Sequence, residues 1–327
     1  MFHMRFLIAG AGAVGAYIGA RMARDGQDVT LFARGPHYLA MKERGVRVLE
    51  ADDDFVVHPE VVDDLEKAGQ ADVVFLGVKA HSLAGLAPKL RPLIAAGTVF
   101  VSTQNGIPWW YFHKHGGDLE GLRLEKIDPG GIISSVIEPD RVIGSIVYFA
   151  AEIAEPGVIR HIDGNRISLG EPDGSRSDRI RKLAEILIRA GLRAPITTRI
   201  RQEIWVKLLG NLSFNPISAV TGATLVEIAR DPDISALVRH IMEEAQTVAT
   251  RIGIELPISI EQRIAGAEKV GEHKTSMLQD LESGRPLEIE ALVGAVLELG
   301  ERLDIAMPHT SAVYACTKLL AKTRTQR

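Results

Sequence analysis

The feature that most constrains the fold is the first apolar run, which leads directly into three closely spaced glycines. The strand-like segment Phe6–Ala9 is followed by the pattern G-x-G-x-x-G, made by Gly10, Gly12 and Gly15. In such a turn the first glycine permits a tight bend, the second lets the backbone approach a pyrophosphate, and the third lets the helix pack on the strand. The N-terminus of the following helix favours phosphate through its unpaired N–H groups and its dipole. The sequence therefore predicts a dinucleotide site formed by Gly10, Ala11, Gly12, Ala13, Val14 and Gly15.

The residue at the end of the second predicted strand indicates which dinucleotide is bound. Proteins that bind NAD usually place an acidic residue about 20 residues beyond the glycine pattern, where it contacts the ribose. This chain has Phe32, Ala33 and Arg34 there, without a carboxylate. Because a guanidinium is planar, always charged and suited to bidentate phosphate contact, the sequence predicts NADPH/NADP+ as cofactor, with Arg34 on the 2′-phosphate.

Strand and helix patterns alternate over the first hundred residues. The predicted elements are the strands Arg5–Ala9, Asp28–Ala33, Asp72–Val78 and Thr98–Ser102, the helix Pro36–Arg44, and a hairpin made by Val46–Leu49 and Phe55–Val57. Such alternation implies right-handed crossovers and a doubly wound parallel sheet. Ligands of these sheets bind at the carboxyl ends of the strands, which is where Lys79, Gln104 and Asn105 follow.

The pattern changes twice along the rest of the chain. Short apolar runs separated by turn residues predict an antiparallel extension built from Ile132–Ile137, Arg141–Ala150, Val158–Ile162 and Arg166–Leu169, then a helix Ser177–Ala190 and a last strand Ala194–Thr197. Beyond about residue 198 only helical periods remain, at Arg201–Ser213, Ile234–Arg251, Ser276–Glu282, Glu288–Leu303 and Ser311–Lys322. We therefore predict an α/β fold. A Rossmann-type doubly wound sheet with an antiparallel extension occupies residues 1–198, and an all-α domain occupies residues 199–327.

Composition excludes several classes of partner. The 327 residues carry a net charge of only −4, which gives no general attraction to nucleic acid or to anionic membranes. No run of about 18 apolar residues is present, and the first apolar run ends in glycines rather than a cleavage site, so we expect a cytoplasmic protein. The single cysteine, Cys316, cannot form an internal disulfide and is expected to be a small buried apolar residue. No metal site is predicted.

The second informative stretch is a row of polar residues on an apolar helix. Lys207, Asn211 and Asn215 are four residues apart and share an arc of roughly 80°, while Pro216 is expected to end the helix. Polar side chains on such a helix must face a cleft, water or polar partners. The row is therefore either a substrate site, or a wet seam between domains or protomers.

A third stretch contains Ser276 at a plausible helix start and Glu288 at the beginning of the next helix. Each has an ordinary structural explanation. Ser276 can be an N-cap, and Glu288 can be a surface acid that complements the helix dipole. Neither residue alone therefore identifies a site.

Taken together, these stretches resemble the ketopantoate reductase (2-dehydropantoate 2-reductase) family. The matching pieces are Gly10 to Gly15, Val78-Lys79-Ala80, Gln104-Asn105-Gly106, the run from Lys207 to Pro216, and Ser276-Met277-Leu278-Gln279-Asp280 with Glu288-Ile289-Glu290. The order and spacing of the last two pieces are specific, whereas the glycine pattern is shared with many dehydrogenases. The resemblance implies a Rossmann domain followed by an all-α domain, with the active site in the cleft between them.

The resemblance also implies a reaction and a role for each residue. The reaction is NADPH-dependent reduction of 2-dehydropantoate, a small 2-oxo acid, to (R)-pantoate, which is a step of pantothenate biosynthesis. By similarity, Lys207 is the general acid and Glu288 contacts the substrate hydroxyl. The substrate's polar groups, including its carboxylate, are held by Asn211, Asn215 and Ser276, and the residues beside the cofactor ribose and the reacting centre are Lys79 and Asn105. Lysine suits this role because hydride addition creates an alkoxide, which needs a proton and nearby positive charge.

Two departures from the family pattern leave alternatives open. Bulky residues, including Trp109 and Trp110, stand where many members are smaller and more polar, and His273 stands where some members place a polar residue near the substrate. The aromatic residues either line a different substrate pocket or pack beneath the crevice. The chain is then a reductase of another 2-oxo acid or a related hydroxy-acid dehydrogenase. A third hypothesis is a non-catalytic protein that senses NADP(H). The protein could also form a homodimer.

Overall fold

The computed structural model describes residues 4–325. Contacts between Cα atoms divide them into two compact units. The first unit comprises residues 4–104, 110–121 and 130–200, and the second comprises Asn105–Trp109, Leu122–Pro129 and residues 201–325.

The first unit is built on one nine-stranded sheet. Its strands are β1 (Arg5–Ala9), β2 (Asp28–Phe32), β3 (Val46–Leu49), β4 (Asp54–Val57), β5 (Glu60–Val62), β6 (Ala71–Leu76), β7 (Ile94–Ser102), β8 (Val142–Glu155) and β9 (Val158–Gly170). Their spatial order is β4-β3-β9-β8-β7-β6-β1-β2-β5. The six strands from β8 to β5 are parallel to one another, and their order is that of a doubly wound Rossmann sheet. On the other side, β9 runs antiparallel to β8, and β3 and β4 form an antiparallel pair at the edge. The predicted fold class is confirmed.

Four helices flank this sheet in sequence: α1 (Ala13–Arg24), α2 (Gly35–Arg44), α3 (Ala80–Leu90) and α4 (Asp178–Arg189). The parallel strands are nearly continuous apolar runs because both of their faces are buried. The core joins strand residues such as Ile8 and Phe75 to Ile18 of α1 and Leu183 of α4, all of which are almost completely buried.

The regular elements described within residues 201–325 are helical. They are α5 (Ile200–Thr221, which begins one residue earlier), α6 (Leu225–Arg230), α7 (Pro232–Arg251), α8 (Ile260–Val270), α9 (Ser276–Glu282), a π-helical turn Glu290–Gly294, α10 (Ala295–Arg302) and α11 (Pro308–Thr325). The buried positions of α7 recur every three or four residues, as in an amphipathic helix that lies on a core. None of the helices described in residues 4–325 is both long and apolar enough to cross a bilayer.

One predicted strand is wrong. The segment 132–137 forms compact turns instead, in which the N–H of Ser135 donates to the carbonyl of Gly131 and that of Ile137 donates to Ile133. Ile133 and Ile137 are both buried, but Ser135 between them is exposed, so the burial does not follow the two-residue period of a strand.

Three smaller predictions also fail. Helix α5 continues through Pro216 to Thr221, because burial of the surrounding residues outweighs the loss of one backbone N–H. The predicted strand 194–197 is reduced to an isolated bridge between Ile196 and Leu169. Cys316 is exposed on α11 rather than buried. The elements β5, α3, α6 and α8 were not predicted.

Candidate functional site

The glycine turn after β1 combines two tightly packed glycines with one open glycine. Gly10 has φ +117°, and a Cβ there would lie 2.6 Å from Cγ1 of Val78. A Cβ on Gly15 would overlap the carbonyl oxygen of Gly10. Around Gly12, in contrast, no atom of residues 4–325 outside its chain neighbours and its own helix lies within 4 Å of a Cβ position. Gly12 caps α1 without a side-chain acceptor for the helix N–H groups. Gly10 and Gly15 therefore shape the turn, while Gly12 leaves space and free donors at the start of the helix, where Ala13 and Val14 form the first turn.

Sequence reasoning missed a fourth glycine of this turn. Gly77 directly follows β6, and a Cβ there would also overlap the carbonyl oxygen of Gly10. The N–H of Gly77 donates to the carbonyl of Ala9 (3.1 Å), so the ends of β1 and β6 are held together. The available signal was a glycine immediately after a buried strand.

Arg34 lies at the carboxyl end of β2, which pairs in parallel with β1, the strand that leads into the glycine turn. The backbone N–H of Ala11 donates to the carbonyl of Phe32 (2.7 Å), which ties the turn to the end of β2. Arg34 then caps α2 and is exposed, and its guanidinium makes no hydrogen bond or ion pair with residues 4–325. His37, one turn later, accepts a hydrogen bond at Nδ1 from the N–H of Gly157 (3.0 Å), and burial lowers its pKa. The lowered pKa disfavours a positive charge on His37, and Arg34 supplies a positive charge at this end of β2.

The predicted site residues that follow strands β6 and β7 fall in different units. Lys79 directly precedes α3 in the first unit. The side chain of Gln104, also in the first unit, donates to the carbonyls of Leu76 (2.6 Å) and Val78 (3.0 Å), so it ties the end of β7 to that of β6.

Asn105 belongs to the second unit, because the segment that it begins packs on the π-helical turn. The N–H of Ile107 donates to the carbonyl of Ala291 (3.2 Å). Gly106 has φ +89°, and a Cβ there would overlap the same carbonyl. The close approach of Gly106 therefore fixes where Asn105 lies relative to the helical residues.

The polar row lies on α5 in the second unit. Asn215 is only 6% exposed and Asn211 is half-buried, yet neither amide forms a hydrogen bond with any residue in the range 4–325. Two amides on a largely buried helix surface that lack protein partners are available to a ligand.

Lys207 is the most strongly perturbed group of this row. Its pKa is lowered to about 8, mainly by burial; the carboxylate of Glu288 opposes this shift, and the positive charge of Arg263 adds to it. Glu288 is 9% exposed and lies just before the π-helical turn. The structure thus places Glu288 and Arg263 each close enough to Lys207 to shift its pKa, and Arg263 was not predicted.

Arg263 lies on α8, with its guanidinium against the backbone of α5. A Cβ added to Gly210 would be 2.6 Å from both Cζ and Nε of Arg263. Gly210 stands between Lys207 and Asn211 in the sequence. A glycine inside a helix signals close approach of another group, which was the clue available from sequence.

Ser276 is the first residue of α9 and is exposed. The N-cap of this helix is Thr275, whose hydroxyl accepts a hydrogen bond from the N–H of Leu278 (3.3 Å), so the interpretation of Ser276 as a cap is wrong. His273 is also exposed, and its carbonyl accepts from the N–H of Leu225 (3.0 Å).

The two tryptophans that depart from the family pattern are both buried. Trp110, in the first unit, donates from Nε1 to the hydroxyl of Ser102 (2.8 Å), and its ring lies 2.6 Å from a Cβ position on Gly144. Trp110 therefore packs in the interior of that unit. Trp109, in the second unit, is 8% exposed, and its indole N–H has no hydrogen-bond acceptor within residues 4–325.

Comparison with known proteins covers nearly the whole chain. Residues 6–174 match a family model described as ketopantoate reductase PanE/ApbA, and residues 199–321 match the model of the C-terminal part of the same family. A 2-dehydropantoate 2-reductase of Mesorhizobium japonicum is 50% identical over 322 residues, which cover 98% of this chain and 99% of the relative.

Solved structures agree with these sequence matches. A candidate ketopantoate reductase of Ralstonia solanacearum MolK2 superposes with a TM-score of 0.93 at 40% identity, with 98% of each chain covered. A 2-dehydropantoate 2-reductase of Methylococcus capsulatus has a TM-score of 0.83 at 31% identity, with 99% of this chain and 98% of that one covered.

Proposed function

We propose, since this chain belongs to the ketopantoate reductase family, that it reduces 2-dehydropantoate to (R)-pantoate with NADPH as a step of pantothenate biosynthesis. The chain is an oxidoreductase acting on CH–OH groups, and its family uses a nicotinamide cofactor. The proposal adds the substrate, the preference for NADPH, a cytoplasmic location and the roles of individual residues. The observation that carries it is Lys207, a half-buried lysine whose pKa is lowered by desolvation, on the same helix as two amides that have no hydrogen-bond partner among residues 4–325.

The chemistry of the second unit suits reduction of a ketone. Addition of hydride to a carbonyl carbon leaves negative charge on the oxygen, which is stabilised by a nearby cation and neutralised by a proton. With a pKa of about 8, Lys207 is mostly protonated at neutral pH and gives up its proton more readily than an ordinary lysine. Glu288 favours the charged form of Lys207, and it would also accept a hydrogen bond from the product hydroxyl. The polar groups of the substrate would be held by Asn105, Asn211, Asn215 and Ser276.

The first unit fits a dinucleotide. The open space at Gly12 and the uncapped N–H groups of α1 suit a pyrophosphate, and Arg34 is a cation placed for a 2′-phosphate. Lys79 would contact the ribose. The nicotinamide, when bound, supplies the hydride, while the protein orients it and stabilises the developing charge. We assign residues 1–198 to cofactor binding and residues 199–327 to substrate binding and catalysis. A homodimer stays a prediction.

The cofactor preference gives a first prediction. Arg34→Ala should weaken NADPH affinity about 10- to 100-fold, because charge-assisted hydrogen bonds to a phosphate are lost, and should leave NADH affinity nearly unchanged. Titration of cofactor fluorescence measures both affinities, and Arg44→Ala at the other end of α2 is the control. Equal affinity of the wild type for NADPH and NADH, or an unchanged ratio in Arg34→Ala, would remove Arg34 from this role.

The pH dependence gives a second prediction. Reduction requires protonated Lys207, so kcat/KM should fall as the pH rises through about 8. The charged groups that act on this amine are Glu288 and Arg263. Glu288→Gln removes the charge that raises the pKa of Lys207 and should move the decline to lower pH, whereas Arg263→Met should move it to higher pH. The pH profiles of kcat/KM for the three proteins test this, and shifts of the two variants in the same direction would contradict it.

The function itself is tested by following NADPH oxidation with 2-dehydropantoate, a panel of other 2-oxo acids, and NADH as the alternative donor. We expect turnover with 2-dehydropantoate and NADPH to exceed all other combinations. Faster turnover of another 2-oxo acid would keep the reaction and change the substrate. Cofactor binding without turnover of any of them would favour a sensor instead.

A further inference from the structure

The π-helical turn Glu290–Gly294 connects two separate parts of the second unit. The N–H of Ala295 donates to the carbonyl of Glu290, five residues earlier, rather than to that of Ala291 as in an α-helix. The carbonyl of Ala291 is therefore available to another segment, and it accepts a hydrogen bond from the N–H of Ile107 (3.2 Å). The π-helical turn thus holds the segment that begins at Asn105.

The same turn also places Glu288. The carbonyl of Glu288 accepts from the N–H of Leu292 (3.2 Å), so Glu288 opens the first hydrogen-bonded turn of this helix. Because residues two positions apart in a helix point roughly 200° apart, Glu288 and Glu290 leave the turn on nearly opposite sides. The carboxylate of Glu288 acts on Lys207. The rotation of this turn therefore decides where that carboxylate lies relative to the amine.

Glu290 is held from the side of α11. The hydroxyl of Tyr314 lies 2.7 Å from Oε2 and 2.9 Å from Oε1 of Glu290 and donates to the carboxylate. The ammonium groups of Lys126 and Lys318 each lie 3.5 Å from the same carboxylate, and that of Lys318 is also 4.9 Å from the centre of the Tyr314 ring. Burial and the hydrogen bond to Glu290 raise the pKa of Tyr314, so its hydroxyl keeps the proton that it donates.

Two further contacts fix the position of the Glu290 carboxylate. A Cβ on Gly294 would overlap Oε2 of Glu290 and would lie 3.3 Å from the hydroxyl of Tyr314, so the contact needs a residue without a side chain there. The segment Leu122–Pro129, which carries the first of the two lysines, is tied to α10, because two of its consecutive N–H groups donate to the carboxylate of Glu298 (3.0 Å each). The surroundings of Glu290 are therefore built from three separate parts of the chain.

We propose that Tyr314 and Glu290 are positioning residues, whose hydrogen bond holds the π-helical turn in the rotation that places Glu288 beside Lys207. Neither is assigned a contact with substrate or cofactor, and both act through Glu288. The inference rests on the proposed function, in which Glu288 supports proton donation by Lys207. Ion pairs as exposed as those of Glu290 add little to stability by themselves, so the effect of this cluster is expected in the geometry of the turn.

The test compares Tyr314→Phe and Gly294→Ala with the wild type. Tyr314→Phe removes the donor, keeps the ring and changes no charge. Gly294→Ala displaces the carboxylate of Glu290 without removing it, and the backbone there is helical, so alanine is expected to fold. Thr317→Val is the matched control, because it removes from the same helix a hydroxyl that donates to the carbonyl of Val313 (2.8 Å).

In both variants the decline of kcat/KM with rising pH should move to lower pH. The reason is that a displaced Glu288 favours the charged form of Lys207 less strongly, while Arg263, the other group that acts on this amine, is unchanged. Near neutral pH, kcat/KM should fall about 10-fold, the factor expected for a lost hydrogen bond to a charged group. Thr317→Val should keep the profile of the wild type.

A double variant separates positioning from a general loosening of the helices. In the Glu288→Gln background, Tyr314→Phe should cause no further shift, because the residue through which it acts has already lost its charge. NMR titration of the labelled Lys207 side chain, with Lys207→Arg to assign its resonance, follows the same shift without any turnover.

The inference and the proposed function fail separately. A wild-type protein that reduces no 2-oxo acid overturns the proposed function, and the NMR titration then still decides where Glu288 is held. An unchanged titration of Lys207 in either Tyr314→Phe or Gly294→Ala, in a variant that retains cooperative unfolding, overturns the inference. A shift of equal size in the Glu288→Gln background, or in Thr317→Val, overturns it as well.

Discussion

Replacing Lys207 by methionine is expected to lower kcat about 10²- to 10⁴-fold, the usual contribution of a general acid. The structural reason is that Lys207 is the titratable cation of the polar row, with a pKa of about 8 caused mainly by its burial. Methionine is similar in length and apolar, and removing a buried amine relieves its desolvation cost, so the variant should remain folded. Its NADPH affinity should be unchanged, because the residues proposed to hold the pyrophosphate and the 2′-phosphate lie in the first unit. Steady-state kinetics and cofactor titration measure the two quantities.

Lys207→Arg separates proton donation from positive charge. An arginine side chain stays charged but does not release its proton in proteins, so turnover should remain low even if substrate affinity recovers. Lys269→Met, an exposed change on α8, is the control and should behave as the wild type. Near-normal kcat in Lys207→Met would exclude Lys207 as the acid. Recovery of kcat in Lys207→Arg would show that charge alone is needed.

The parts of the site that follow from sequence are those set by short-range geometry. The glycine turn follows from a strand, three glycines and a helix within 20 residues, and the row of Lys207, Asn211 and Asn215 follows from the helical period. The Gly210–Arg263 contact joins two helices, and no local pattern records which helices pack against each other. The packing of Gly106 on the π-helical turn was missed for the same reason.

The fold shows the same division between local and tertiary causes. Strands β1 and β2 were predicted nearly to the residue, because buried parallel strands are long apolar runs that end at glycine or charge. Pro216 was expected to end α5, since proline disfavours a helix interior, but tertiary burial of the neighbouring residues overrides this local preference. The apolar run 132–137 was predicted to be a strand, but Ile133 and Ile137 are buried while Ser135 between them is exposed, which a strand with one buried face would not give.

The glycine turn gives a second large effect: substitution of Gly12 should weaken cofactor binding, whereas substitution of Gly15 should weaken folding. Gly12→Val is expected to leave the protein folded, because φ at Gly12 is −72° and, among the described residues beyond its chain neighbours and its own helix, no atom lies within 4 Å of a Cβ position. The new side chain would fill the space proposed for the pyrophosphate and keep the phosphates from the N–H groups of α1. Loss of such charge-assisted bonds should weaken NADPH binding by about 100-fold or more.

Gly15→Ala should instead lower the free energy of unfolding. Alanine in a helix normally gains up to about 1 kcal/mol over glycine, but here its Cβ would overlap the carbonyl oxygen of Gly10, and such overpacking costs about 1–3 kcal/mol. Gly85→Ala is the matched control, because Gly85 lies inside α3 with no atom within 4 Å of a Cβ position, and this change should stabilise the protein. Denaturant unfolding and NADPH titration of the three variants test both expectations. A Gly12→Val protein with the NADPH affinity of the wild type would remove this turn from the cofactor site, because the open space at Gly12 would then not be used by the phosphates.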